Sequence, residues 1–433
     1  MSNLIFKNMK NCKFLILTLF ASSSVYAQLS IEDCYEKARA NYPLIKQYEL
    51  IEQSRDYNLS ILSKVFLPQL QLSAKATYQS EVTKIPIDFS QIPIPQMAAI
   101  KIPELSKDQY GAMLELSQII WDGGLVGAKR KSVYAKIEAD EKTLEAGLYA
   151  VKERVNQLFF GILLTEAMAE QTRMFQGELQ RTCNLVSSLV ESGLANEADL
   201  DAVKVELVKL QQGITQILYN RNAFLDMLSA FIGEKIDSNT TLQKPDVTYS
   251  LSKEIRRPEL AMFDAQANSI DVAKKEISAD LMPKLSLFIA GGYGRPGLNM
   301  LKNEFTGYYI GGVRLMWNFG SFYTRKGKLN MLETGRNSIQ VQQETFLFNL
   351  SLGQTGKENE IDKYRELLKT DDEIIALRNS VKRASEAKVE SGTLNASDLM
   401  RDVTNEQVAR QSKVVHEIEM IQAIYNLKFI TNN

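Results

Sequence analysis

The chain has 433 residues, of which 45% are hydrophobic and 24% charged, with a formal net charge of −1. That composition permits a folded protein of two or three domains. A balance this close to neutral gives no ground for a nucleic-acid partner.

The first 27 residues stand apart. Lys7, Lys10 and Lys13 make a basic start, Phe14–Ala21 reads FLILTLFA, and SVYA ends at Ala27 with small residues at the −1 and −3 positions. These are the marks of a secretory signal peptide, with an apolar run too short to span a bilayer. Its removal would take away three lysines, move the net charge from −1 to −4, and leave Gln28 first, with no cysteine there to lipidate. Cys12 departs with it; Cys34 and Cys183 lie in helical patterns and read as small buried or half-buried side chains rather than a disulfide framework. No later segment reaches the ~20 consecutive apolar residues of a transmembrane helix.

A first unit is expected over 28–234, beginning with a helix from Ser30 to about Ser63. Two alternating segments follow, near 68–80 and 110–121. In the first, Leu70, Leu72, Ala74, Ala76 and Tyr78 share one face, with Gln69, Gln71, Ser73, Lys75 and Thr77 on the other. The second sets Leu114, Leu116 and Ile120 against Glu115 and Ser117. Between them lies a loop over 80–109 rich in Ile-Pro steps, which suit extended chain.

A long helical hairpin is expected over 124–231. No proline interrupts Gly124–Glu191, and Val133, Ile137, Leu144, Leu148, Val151, Val155, Leu158 and Ile162 recur at coiled-coil spacing. About 68 residues of helix extend roughly 100 Å. The return helix carries its seam at Leu200, Val203, Leu207, Leu210, Ile214 and Ile217, and ends near Gly233, about half as long. The N-terminal helix would supply the missing length, two short helices stacking end to end against one long one.

After a polar linker at 235–256 the pattern returns over 257–433. It has strands near 283–294 and 305–319 and a helical hairpin over 321–430. FLPQLQLSAKATY (Phe66–Tyr78) is echoed by LMPKLSLFIAGGY (Leu281–Tyr293), and QIIWDGG (Gln118–Gly124) by RLMWNFG (Arg314–Gly320). ESGLANEADL (Glu191–Leu200) is echoed by ESGTLNASDL (Glu390–Leu399). Such self-similarity predicts two copies of one structural unit. Two glycines in LGQTGKEN (Leu352–Asn359) should weaken the second long helix by ~1 kcal/mol each relative to alanine.

Gly193 and Gly392 fall where a helix C-terminus calls for a left-handed residue. Asn196…Asp199 and Asn395…Asp398 read as N-caps with an acid at the third helical position. Nothing in the chain reads as a catalytic constellation, a cofactor site or a metal site. His416 has no metal partner in its pattern, Asp371-Asp372-Glu373 reads as a solvated helix face, and GGYGRPG (Gly291–Gly297) lacks the helix and Lys-Ser/Thr of a phosphate loop.

Strands of nine or ten residues with a two-residue period fit a membrane β-barrel, and equally a soluble sandwich. Four strands cannot close a transmembrane barrel, which needs about eight, and open edges are not tolerated in hydrocarbon. If the strands enter a membrane, several chains must pool them; otherwise the chain is an exported structural coiled-coil protein without a pore.

In the order and duplication of these motifs the whole mature chain resembles the TolC family of outer-membrane efflux proteins. The carriers are ANYPLIKQ (Ala40–Gln47), LPQLQLSA (Leu67–Ala74), the Trp-x-x-Gly before each long helix and the duplicated turn. The resemblance implies a mainly α fold with a small β part. A homotrimer would pool twelve strands into one barrel in outer-membrane lipid, continuous with a helical coiled-coil tunnel in the periplasm. It also implies a passive duct for small toxic compounds or secreted proteins, joined by a periplasmic adaptor to an inner-membrane pump. On that resemblance Gly193, Leu194, Gly392 and Thr393 match the adaptor-contacting tips, and Asp398 an aspartate that narrows the entrance. The family's second acidic position is Arg401 here, with Asp402 beside it, so a purely acidic ring is not expected.

Overall fold

The computed structural model describes residues 28–83, 105–237, 240–246 and 254–432. The expected signal peptide, most of the Ile-Pro-rich loop and part of the linker lie outside the described residues.

Helix α1 (Ile31–Asn41) starts at a capping box: Ser30 Oγ accepts from the Asp33 backbone N–H at 3.1 Å, and the Asp33 side chain accepts from the Ser30 N–H. Its buried face, Ile31, Cys34 and Ala38, packs into a core with Val155, Phe159, Phe160, Leu228 and Ile421. The chain turns at Tyr42, extended ahead of Pro43 as a pre-proline residue must be, and continues into α2 (Gln47–Ser63).

Strands β1 (Gln69–Tyr78), β2 (Asp108–Trp121), β3 (Lys284–Arg295) and β4 (Thr306–Met316) form one antiparallel sheet in chain order. The register carries the alternation across all four. Leu70 faces Leu116, which faces Ile289; Leu285 and Leu287 face Leu315 and Val313. Leu70, Leu72, Leu114, Leu116, Leu287, Ile289, Val313 and Leu315 therefore share one face, and all are exposed. The opposite face holds Gln69, Gln71, Ser73, Lys75, Glu115 and Arg314, but also Phe288, whose ring lies under the Arg314 guanidinium at 4.5 Å. Arg314 pairs there with Glu115 at 2.9 Å.

Below the sheet, α3 (Leu125–Tyr149) and α4 (Val151–Glu191) descend in line, and α5 (Glu197–Ile232) returns. The single uninterrupted helix expected over this stretch is broken at Ala150, where the Ala150 N–H to Ala146 carbonyl bond stretches to 3.4 Å and Glu153 bonds three residues back. The second long helix, α7 (Gly320–Glu390), runs 71 residues without a break, about 105 Å, despite Gly353 and Gly356. Helix α6 (Pro258–Ala279) leads up into β3, and α8 (Ala396–Thr431) ends the fold.

The short helices do stack along the long ones. Nearest the sheet, α2 lies on α3, α3 on α6 and α6 on α7; farther down, α5 lies on α4, α4 on α8 and α8 on α7. The flanks of this array are α2 and α5 with edge strand β1 on one side, and α7 with edge strand β4 on the other. Both flanks carry exposed apolar side chains: Leu50, Tyr57, Ile61, Val208 and Tyr219 on the first, Met331, Val341, Phe348, Leu352 and Leu377 on the second. No helix among the described residues is long and apolar enough to cross a membrane.

Candidate functional site: the paired hairpin tips

At the end of the array farthest from the sheet, the two duplicated turns lie side by side. Helix α4 stops at Ser192, and Gly193 takes φ +72°; the Gly193 and Leu194 N–H groups donate to the Val190 and Leu189 carbonyls at 3.0 and 2.8 Å. In the second turn Gly392 takes φ +70°, and the Gly392 and Thr393 N–H groups donate to Val389 and Lys388 at 2.9 Å each. This is the closure that a left-handed residue after a helix provides, and it satisfies carbonyls the helix would leave orphaned. Thr393 adds its hydroxyl, which donates to the Lys388 carbonyl at 3.0 Å. Leu194 stays exposed, with 64% of its surface free.

Each return helix then starts on an asparagine. Asn196 Oδ1 accepts from the Asp199 N–H at 2.9 Å, and Asn395 Oδ1 from the Asp398 N–H at 2.7 Å. The two turns enclose a shared cleft of about 440 Å³ lined by Leu189, Gly193, Asn196, Val389, Gly392 and Thr393, among others. Asp398 and Arg401 come together at 3.1 Å on one exposed face. Asp402 does not join them; its carboxylate accepts from the Ser385 hydroxyl at 2.7 Å, tying α8 to α7.

About three turns up from the tips is a charged cluster that the sequence reading missed. Lys382 of α7 sits between Glu178 of α4 and Glu406 of α8, 2.6 Å from Glu406 and in closer contact still with Glu178. Arg410 holds the other Glu406 oxygen at 2.5 Å, and Glu406 is only 1% exposed. Burial pulls the Lys382 ammonium toward its neutral form, but the two carboxylates outweigh that and hold its pKa above the usual value. Burial likewise pushes the Glu406 carboxyl up, and Lys382 and Arg410 more than reverse it. The one signal for this cluster is positional. Asp371, Lys382, Ser385 and Val389 are buried at seam spacing on α7, as are Leu399, Met400, Val403 and Glu406 on α8.

Asp371 also corrects the expectation of a solvated acidic face. It is buried, and His416 Nδ1 lies 2.8 Å from its carboxylate, while Asp372 and Glu373 stay exposed, Asp372 reaching Lys413 at 2.6 Å. Cys34 and Cys183 are buried free thiols, and no metal-ligating cluster occurs among the described residues.

This layout of a four-stranded sheet and paired long helical hairpins matches known channels. The chain superposes on the outer-membrane channel OprN with a TM-score of 0.67 at 12% identity, covering 93% of this chain and 89% of that one. It superposes on the Vibrio cholerae outer membrane protein VceC with a TM-score of 0.65 at 12% identity, covering 93% and 96%. For the Campylobacter jejuni CmeC outer membrane channel the values are 0.63, 13%, 93% and 85%. No curated protein sequence matches the chain. A family model described as outer membrane efflux protein matches residues 34–234.

Residues 34–234 match the outer membrane efflux protein family, and the described fold as a whole is that of such channels. That match, with the fold, sets the coarse role: an outer-membrane channel component of export machinery, non-enzymatic, with its helical tunnel in the periplasm.

Proposed function

We propose that the protein works as a homotrimeric passive duct, whose twelve pooled strands close a barrel and whose hairpin tips dock a periplasmic adaptor that couples it to an inner-membrane pump. The observation that carries this reading is the pair of open flanks. The exposed apolar face of the sheet suits lipid, yet β1 and β4 each leave a row of backbone groups unpaired. In hydrocarbon each unpaired group costs several kcal/mol, so β4 of one protomer must meet β1 of the next. The same operation sets the apolar row of α7 against that of α2 and α5, which is the heterologous contact from which closed rings are built.

The tips support the docking role by their form: two glycine turns side by side, an exposed Leu194 and a shared cleft present a compact knuckle to a partner. The test is to solubilise the outer membrane in mild detergent and run unheated and heated samples. A heat-modifiable trimer is the expected result, and recovery only as a water-soluble monomer would favour a structural coiled-coil protein instead. Cysteine crosslinking from Leu194 and Thr393 to the adaptor tests the tips separately.

A further inference from the structure

At the break in the first long helix a second cavity opens, of about 200 Å³, lined by Tyr35 and Arg39 of α1, Glu145, Tyr149 and Lys152 of α3–α4, and Pro258 of α6. Its charges do not balance. Glu145 is engaged by Lys142 at 2.9 Å, and Arg257, at the rim, is engaged by Glu259. Lys152 and Arg39 have no carboxylate within ion-pairing distance among the described residues. The Lys152 ammonium instead lies 4.9 Å from the centre of the Tyr149 ring and 5.5 Å from that of Tyr35. Arg257 crowds the same Tyr149 ring, its guanidinium carbon 4.5 Å from the centroid.

The wall hydroxyls are already committed. Tyr35 donates to the Asn156 side chain and Tyr149 to the Phe429 carbonyl at 2.7 Å. What remains to donate into the space is a half-buried ammonium and a guanidinium, like charges held near each other between aromatic walls. Burial lowers the Lys152 pKa, and the neighbouring Arg39 and Arg257 lower it further. An anion between Lys152 and Arg39 removes that repulsion and gains charge-assisted hydrogen bonds from both.

We propose that this cavity is a binding site for a small oxyanion of phosphate or carboxylate type, held by Lys152 and Arg39. Its position selects the source. The 25 residues of α3 place it about 37 Å from the end of β2, beyond reach of a lipid headgroup at the membrane surface. The ligand is therefore a soluble periplasmic anion, and it sits where α1, the helix break, and the ends of α6 and α8 meet. Bound there, it would tie the two halves of the protomer together.

The test uses the full chain purified in detergent, with inorganic phosphate as probe and chloride holding ionic strength constant. Phosphorus line-broadening should saturate for the native protein, acetate should compete, and chloride should not. Lys152→Gln and Arg39→Gln should each weaken phosphate binding roughly tenfold, the loss expected for one hydrogen bond to a charged group. Lys136→Gln, on the exposed side of α3, should leave it unchanged. Arg39 is exposed, so its variant keeps the test open even if Lys152→Gln fails to assemble. Broadening that never saturates, or that persists equally in both variants, overturns the site.

Discussion

Arg401 reaches back one turn of α8 to place its guanidinium 3.1 Å from the Asp398 carboxylate. In the first repeat the equivalent Asp199 turns the other way, accepting from the Asn196 backbone N–H at 3.4 Å to complete a capping box. One duplicated motif thus carries two electrostatic states: a carboxylate spent on its own helix start, and one neutralised by a neighbour that the first tip lacks.

If the second tip narrows the duct entrance, Arg401→Ala should leave a ring of uncompensated Asp398 charges. The pair is exposed, so stability should change by no more than about 0.5 kcal/mol. The expected readout is a reversal potential in planar bilayers that moves toward cation preference in a salt gradient. An unchanged potential would mean that Asp398 does not face the conducting path.

The tip glycines should resist substitution for a backbone reason alone. A Cβ built on Gly193 or Gly392 meets nothing within 4 Å, yet both sit at positive φ. Gly193→Val and Gly392→Val should each cost about 1–2 kcal/mol or more through left-handed strain. Asn at either position should be better tolerated, since it enters that region more easily. Thermal unfolding of the trimer checks the order, and equal losses for Val and Asn would point to a contact rather than to φ.

These turns were legible in the sequence because their determinants are local: glycine, then asparagine, then an acid three residues on, all within ten positions. The sheet was legible for a similar reason, since Leu70, Leu72, Leu114 and Leu116 alternate within their own strands. What escaped depends on partners far away. Lys382 meets Glu178 across 204 positions and His416 meets Asp371 across 45, so each looked like one more charge on a helix. The break at Ala150 has no proline to announce it, only Gly147 one turn before, where Leu44 packs close; it falls between buried Tyr149 and Val151, where α1 and α6 pack on the long helix. The glycines of α7 do not interrupt it, yet no close approach requires them: a Cβ at 353 would meet Ile430 at an ordinary 3.4 Å and one at 356 would meet nothing within 4 Å.

The Lys382 cluster predicts an asymmetric mutational response. Lys382→Met leaves Glu178 without this partner and the almost wholly buried Glu406 with Arg410 alone, and removal of one partner from a buried pair costs about 3–5 kcal/mol. Replacing Lys382, Glu178 and Glu406 together by apolar residues of similar size should recover most of that loss. Thermal unfolding of the single and triple variants decides between a repairable charge imbalance and an irreplaceable network.

Acid should loosen the same joint. The folded-state pKa of Glu406 is lowered from its ordinary 4.5, so its contribution is complete above that value and disappears as pH falls through the folded pKa. Stability should therefore be level near neutrality and decline below about pH 4.5. Glu406→Gln should be less stable at neutral pH but show a shallower decline, and an identical acid profile in the variant would assign the lability to other carboxylates.

The sheet register allows the membrane assignment to be tested by two adjacent residues. Leu72 and Ser73 are consecutive on β1 and exposed, yet they point to opposite faces, Leu72 beside Leu114 and Ser73 beside Met113. If the Leu72 face meets lipid, Leu72→Arg near mid-strand should cost about 2–4 kcal/mol, whereas Ser73→Arg, facing the water-filled interior, should be nearly silent for assembly and alter conductance instead. Folding titrations into lipid vesicles measure the first, and single-channel recordings the second. Equal tolerance of arginine at both positions would place both faces of β1 in water, and with that the open edges of β1 and β4 would no longer require sister strands to close them.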